Sequence, residues 1–483
     1  MLFPTIDFAV FFLVVFTGSW LLRPHKVAWK VFILCASFFF YGYWFSSQDD
    51  LPITGLLAFS IVVNWAFGQA VFAAMTPDGE RTQRSRRLVR AAVIVDLGVL
   101  GYFKYVNFFL DSFTARLTMI GVHLDGPFVN VLLPIGISFF TFQAISYVID
   151  IGRGVWRRPV GLLDFAVYLS FFAHLVAGPI VRASEFIPQL DAGADPRYVP
   201  TAEPFMLIFR GLFKKIVISS FMATIADPVF ALPQDSSSWQ TLWGIYAYAI
   251  QIYADFSGYT DIAIGVALLL GIRFPQNFNA PYRALSLQDF WRRWHMTLSR
   301  WLRDYLYIPL GGNRGSELFT YRNLFLTMVI GGLWHGAHWT FVIWGVSQGG
   351  YLVGERVVKQ AWARRGAMGL PPPLVKVLQW VLTFNVVCLS WVFFRARSMG
   401  GAFEVLGRLI GDGGSSAMVT PLVIGTVLAM LASQFVPQRI PEAVTTKFAR
   451  AAPVVQILVL GAGLVLIDAL GPEGIAPFIY YQF

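Results

Sequence analysis

Apolar residues fall in stretches of about twenty along this chain, separated by short polar loops, and that is the spacing a bilayer-crossing helix needs. Runs at 7–22, 31–47, 53–74, 91–110 and 128–150 read as membrane helices. The apolar part of the first, Phe8 to Leu22, has Asp7 before it and Arg23, Lys26 and Lys30 after it, with no small-residue cleavage site. It therefore reads as a membrane helix and not a signal peptide. The loop after the third run holds Arg81, Arg84, Arg86, Arg87 and Arg90, whereas the loop after the second holds Asp49 and Asp50. Basic loops stay on the cytoplasmic side, which places the N-terminus outside.

The middle of the chain resists simple crossing. Apolar stretches cover 161–181, 204–231 and 241–271, and the segment 273–320 that follows carries seven Arg against two Asp and one Glu. Both ends of this region read as cytoplasmic, and three full crossings cannot join two loops on one side. One stretch is therefore expected to be re-entrant or to lie in the membrane plane. Residues 321–353 raise the same issue and read as a hairpin with His335 near its turn. Runs at 374–394, 419–436 and 453–470 complete an all-α polytopic membrane protein of about eleven spans. Arg439, Lys447 and Arg450 read as cytoplasmic, and the tail after Leu470 as external.

Composition agrees with this picture. Hydrophobic residues make up 56% of the 483 positions and charged residues 13%. With no long soluble segment, residues 1–483 read as a single integral membrane domain. Internal repeats of the kind found in secondary transporters are not apparent. The net charge of +10 is spread through short loops, so it suits anionic lipid or an acidic partner and does not point to nucleic acid. Cys35 and Cys388 sit in apolar runs without metal-ligand spacing. Neither a nucleophile elbow nor a phosphate-binding loop is present, so serine-triad and nucleotide hydrolysis have no support.

The stretch GGLWHGAHW, Gly331 to Trp339, places His335 and His338 at membrane depth, where an ionisable side chain implies function. The flanking Gly331, Gly332 and Gly336 would let backbone or ligand approach the His335 ring and break the helix locally, and burial would keep the imidazole neutral and able to accept a proton. Trp334 and His338 would stand beside it. Asp255 and Asp261 are further intramembrane charges. They suit either a proton or cation path or pairing with Arg210, Lys214 and Lys215. In 289–314, Trp291, Trp294 and Trp301 alternate with Arg292, Arg293, Arg300 and Arg303. As a helix this would be an interfacial amphipath with Trp291, Trp294, His295, Leu298 and Leu302 on one face. Its arginines would also suit phosphate groups. A metal site built from His335, His338, His295 and an aspartate lacks any defining spacing.

WRRWHMTLSRWLRDYLYIPLGGNR followed by GGLWHGAHW resembles the membrane-bound O-acyltransferase family, in its bacterial alginate O-acetyltransferase branch. LPIGISFFTFQAISYVIDIGRG, YLSFFAHLVAGPIVR, QIYADFSGYTDIAIG and the terminal FIYYQF match as well, so the resemblance covers a core of about residues 91–483. It implies a helical ring around a thin central region, with His335 as the essential histidine and His295 as the second signature residue. Arg292, Arg293, Arg300 and Arg303 would serve donor binding, and Trp334, His338, Asp255 and Asp261 would surround the site. The implied donor is acetyl-coenzyme A on the cytoplasmic side of a bacterial inner membrane, with no bound cofactor or metal. The implied acceptor is an exported polysaccharide such as alginate, reached through a periplasmic O-acetyltransferase partner of the SGNH type. Competing expectations are D-alanyl transfer to teichoic acid, a proton-coupled transporter and a non-catalytic scaffold.

Overall fold

The computed structural model describes residues 3–43, 52–123, 131–192, 199, 201–365, 371–411, 413–472 and 479. The end of the expected span 31–47, the Asp49–Asp50 loop, the start of 128–150 and most of the terminal FIYYQF lie outside them. The described residues are helical, with no strand among them. Among the described residues five helices are long and apolar enough to cross a membrane: Ile53–Ala73, Gln83–Met119, Ser238–Leu269, Pro372–Arg395 and Pro453–Leu470. Ile6–Leu22, Ile137–Gly152 and Pro421–Ser433 are shorter apolar helices.

The chain divides into two compact units, Met1–Pro204 with Ala263–Pro275, and Phe205–Ile262 with Gln276–Phe483. In the first unit, Gln83–Met119 runs 37 residues, well past the expected 91–110, because nothing between Gln83 and Arg90 breaks a helix. Thr82 caps its start, accepting from the Ser85 amide at 3.0 Å. The stretch 161–181 does not form a span. It breaks into Leu162–Ser170 and Phe172–Leu175, of 9 and 4 residues, and at about 1.5 Å rise per residue neither can cross. From Phe165 to Leu175 they are buried, His174 included, and its Nε2 lies 2.9 Å from the Tyr168 carbonyl.

In the second unit, 202–231 is one continuous helical run whose middle, Phe213–Ser219, is wound as π-helix. Such a turn carries an extra residue and re-aims side chains, and it is common at functional sites. Here it serves Lys214 and Lys215. The run meets Ser238–Leu269 where a Cβ on Gly211 would stand 2.6 Å from the Gly258 carbonyl oxygen. At that close approach Lys215 pairs with Asp255, and Lys214 reaches Asp261 at 2.5 Å.

The segment 289–314 is not one amphipathic helix, contrary to the expectation from its spacing. It forms Leu287–Trp291, a break, Met296–Leu302 and the π-helical turn Arg303–Tyr307. The expected hairpin at 321–353 is present as Glu317–His335 packed against Trp339–Arg365. Arg439–Arg450 is amphipathic, buries no residue and is too short to span.

Candidate active site

His295 stands in the break, as the residue preceding Met296–Leu302, with φ 42 and ψ 55. That is the left-handed region, costly for a residue with a Cβ and held only where surrounding contacts over-determine it. Two backbone bonds supply the constraint. The Asn279 amide donates to the Arg293 carbonyl and the Met296 amide to the Asn277 carbonyl, both at 2.9 Å. They join 277–279 to 293–296 and turn the His295 side chain into the protein. Its ring is fully buried, edge-on to Phe256 at 4.7 Å and to Trp334 at 6.1 Å. Its Nδ1 lies 3.1 Å from Oδ1 of Asn277, a residue that is itself fully buried. Burial pushes the imidazole down to about 3, so the ring is neutral.

His335 is the last residue of Glu317–His335, at the turn of the hairpin, and is 7% exposed. Its ring stands edge-on to Trp334 at 5.0 Å, Trp344 at 5.1 Å and Phe394 at 5.2 Å. The Trp334 indole thus touches both histidines. Gly331 and Gly332 remain helical and do not break the chain, contrary to the expectation for them; Gly336 ends the helix. At Gly332 the absence of a Cβ permits close packing, because a Cβ there would lie 2.4 Å from the Phe341 carbonyl oxygen and 3.0 Å from Gly345 Cα. Small residues set this kind of helix approach in membranes. Gly332→Ala is therefore expected to force the two helices apart, lowering the melting temperature and the activity together. At Gly331 a Cβ would meet only the mobile end of the Leu302 side chain at 3.3 Å, so Gly331→Ala is expected to behave like the native protein. Fluorescence-detected thermal unfolding of both variants checks this, and equal effects would contradict the packing role.

The remaining sequence candidates separate by role. Nδ1 of His338 accepts from the Thr340 amide at 3.3 Å and lies 2.9 Å from its hydroxyl, so this histidine caps Trp339–Arg365. Asp255 pairs with Lys215 and accepts the Ile479 amide at 2.8 Å. Asp261 accepts from Nε and Nη2 of Arg210 at 2.9 and 2.8 Å and also pairs with Lys214. The two aspartates are therefore neutralised by the cations that the sequence offered as their partners. The residue after Asp255, Phe256, faces His295, so one helix turn presents an ion pair one way and the site wall another. Among the arginines, Arg293 binds Asp289 and Arg303 binds Asp304, while Arg292 is exposed and has no carboxylate partner among the described residues. Among the described residues no three His, Cys, Asp or Glu side chains gather where they could hold a metal ion.

Sequence reasoning missed Asn277, Phe256, Trp344 and Phe394. Asn277 stands 18 residues before His295 in an irregular segment, where no periodicity marks it. The aromatic residues look like ordinary core in an apolar run.

Two imidazoles buried against one tryptophan, in a helical multi-pass membrane protein, form a site suited to proton transfer away from bulk water. Residues 155–394, which hold both histidines, match the family model for MBOAT, the membrane-bound O-acyltransferase family. A protein of Azotobacter vinelandii named "Probable alginate O-acetylase AlgI" is 42% identical over 438 residues, covering 89% of this chain and 83% of its own. The "Peptidoglycan O-acetyltransferase" of Helicobacter pylori is 39% identical, over 86% of this chain and 81% of its own. The "Teichoic acid D-alanyltransferase" of Streptococcus thermophilus is 30% identical, over 59% and 75%. The chain belongs to the membrane-bound O-acyltransferase family. It is an O-acyltransferase, and the family implies an acyl donor.

Proposed function

We propose that this protein takes an acetyl group from acetyl-coenzyme A on the cytoplasmic side of a bacterial inner membrane and passes it across for O-acetylation of an exported polysaccharide such as alginate. A periplasmic O-acetyltransferase of the SGNH type would complete the transfer to the polymer. What carries this proposal is the pair of buried histidines, His295 and His335, both against Trp334 inside the segment shared with the family. Acyl transfer from a thioester needs a base for the incoming hydroxyl and stabilisation of the tetrahedral oxyanion. In this reading His335 is the base and His295 the second functional imidazole. Arg292, half-buried Arg300 and their neighbours Arg293 and Arg303 offer positive charge to the donor's phosphates. The relatives named as O-acetylating enzymes support acetyl over D-alanyl. Ion pairing of Asp255 and Asp261 weighs against a proton-relay transporter.

Acetyl-coenzyme A turnover by the purified protein in nanodiscs, with and without a soluble acceptor, tests this. Transfer without an ion gradient is expected. Flux without transfer would replace the enzyme by a transporter. Sidedness is tested separately, with single cysteines at exposed Ser316 and at Gln482 in a background lacking Cys35 and Cys388. A membrane-impermeant thiol reagent on intact spheroplasts is expected to label Gln482→Cys and to spare Ser316→Cys until the membrane is opened. The reverse pattern would remove the cytoplasmic donor from the proposal.

A further inference from the structure

We infer that Asn277 is a positioning residue that locks His295 in the Nδ1–H tautomer, so that its Nε2 lone pair acts as an acceptor for a hydroxyl or thiol and not as an oxyanion donor. This deepens the acyl-transfer function proposed above and rests on it for the role of the ring, though not for its tautomer.

The tautomer follows from donor bookkeeping around one oxygen. Oδ1 of Asn277 receives the Thr297 backbone amide at 3.2 Å and the Thr297 hydroxyl at 2.9 Å. A backbone N–H can only donate, so the atom at this position is the amide's oxygen and not its nitrogen. An oxygen in turn can only accept from the ring, which places the hydrogen of His295 on Nδ1. The neutral ring then has a bare Nε2. That atom is buried and has no hydrogen-bond partner among the described residues. A bare buried acceptor is satisfied by a donor brought to that edge of the ring, which a hydroxyl, a thiol or a water can supply. The strained φ of 42 at His295 is a second, independent sign that this ring is held for a purpose.

The same geometry limits what His295 can do. An oxyanion needs hydrogen donors, and a ring whose only N–H is already given to Asn277 has none to offer at Nε2. A lone pair there can orient a hydroxyl or thiol, or take its proton. The second hydrogen-bonding function of Asn277, its NH2, is also buried without a partner among the described residues. The amide is thus retained for its oxygen and not because its whole hydrogen-bonding capacity is used. His295 itself is walled by the Phe256 and Trp334 rings, so Asn277 is the polar group that orients it.

The test uses protein with 15N in its six histidine rings, reconstituted in nanodiscs. The resonances lost in His295→Ala identify this ring, and they are expected to report a protonated Nδ1 and a bare Nε2. In Asn277→Leu they are expected to move to the other tautomer or a mixture, and acetyl transfer to fall about a hundredfold to ten-thousandfold, the usual effect of losing acid–base function. Asn277→Asp keeps an acceptor for Nδ1–H. It is expected to retain most of the activity, with the acidic limb of the pH–rate profile moved to higher pH by the added negative charge. The double variant Asn277→Leu, His295→Ala is expected to be no worse than His295→Ala alone. A protonated Nε2 in the native protein would overturn the inference whatever the activity. So would multiplied losses in the double variant, or native activity in Asn277→Leu. If Asn277→Leu does not fold, the native spectrum and the Asn277→Asp profile decide. Native protein that turns over no acetyl donor while showing the expected spectrum would instead overturn the functional proposal and leave the tautomer standing.

Discussion

His335→Ala is expected to lower acetyl transfer by about a hundredfold to ten-thousandfold, the range typical of removing a general base, with the protein still inserted and folded. The ring lies at a helix end against Trp334, Trp344 and Phe394, and all three rings remain when it is cut back. His295→Ala is expected to follow with a large loss, because it empties a fully buried site held in strained backbone. His338→Ala is expected to cost far less in rate. Its Nδ1 is engaged with Thr340, and removing a cap of this kind costs about 0.5–2 kcal/mol of stability. Polymer acetylation in cells complemented with each variant at equal expression measures the order. A His338 variant more damaged than the other two would reverse the assignment, and near-native acetylation by the His335 variant would end it.

The second large effect concerns the ion pair beneath the site. Lys215→Met is expected to destabilise the protein by about 3–5 kcal/mol, since it leaves the Asp255 carboxylate buried without its cation. Both side chains are 3% exposed, and Asp255 would keep only the Ile479 amide. The double variant Lys215→Met, Asp255→Asn removes the uncompensated charge and is expected to recover much of the loss, because an apolar or neutral replacement of a buried pair is often tolerated. Thermal unfolding of the two variants in the same detergent separates the cases. A single variant as stable as the native protein would show that this pair is not a structural requirement.

These two predictions draw on sequence to different degrees. His335 was visible as an ionisable residue inside an apolar run, because the cost of placing it there does not depend on its neighbours. His295 was visible through the motif it belongs to, but the helical face assigned to it does not exist. A three-and-four spacing of Trp291, Trp294, Leu298 and Leu302 is compatible with one helix, and only the backbone bonds from 277–279 impose the break at 295. The partners of Asp255 and Asp261 were named from sequence as one of two alternatives. Choosing between them required a π-helical turn and the Gly211–Gly258 approach, which no local pattern signals. Gly331 and Gly332 were read as a helix break around a ligand, whereas the Gly332 Cβ position is filled by the neighbouring helix backbone.

By itself the sequence determined the solvent of this protein, the expected sidedness of its loops, its family and the two histidines proposed to act. Each of these depends on transfer free energies and charges summed residue by residue, or on motifs contiguous in the chain. Tertiary structure alone decided that 161–181 does not cross, that the buried aspartates are paired, and that Asn277 sets the hydrogen of the His295 ring. The last two outcomes turn on hydrogen bonds and ion pairs a few ångströms long between residues separated by 18 to 51 positions. A hydrogen bond weakens steeply with distance and angle, so its existence is settled by where the folded backbone brings the two groups and not by their presence in the chain.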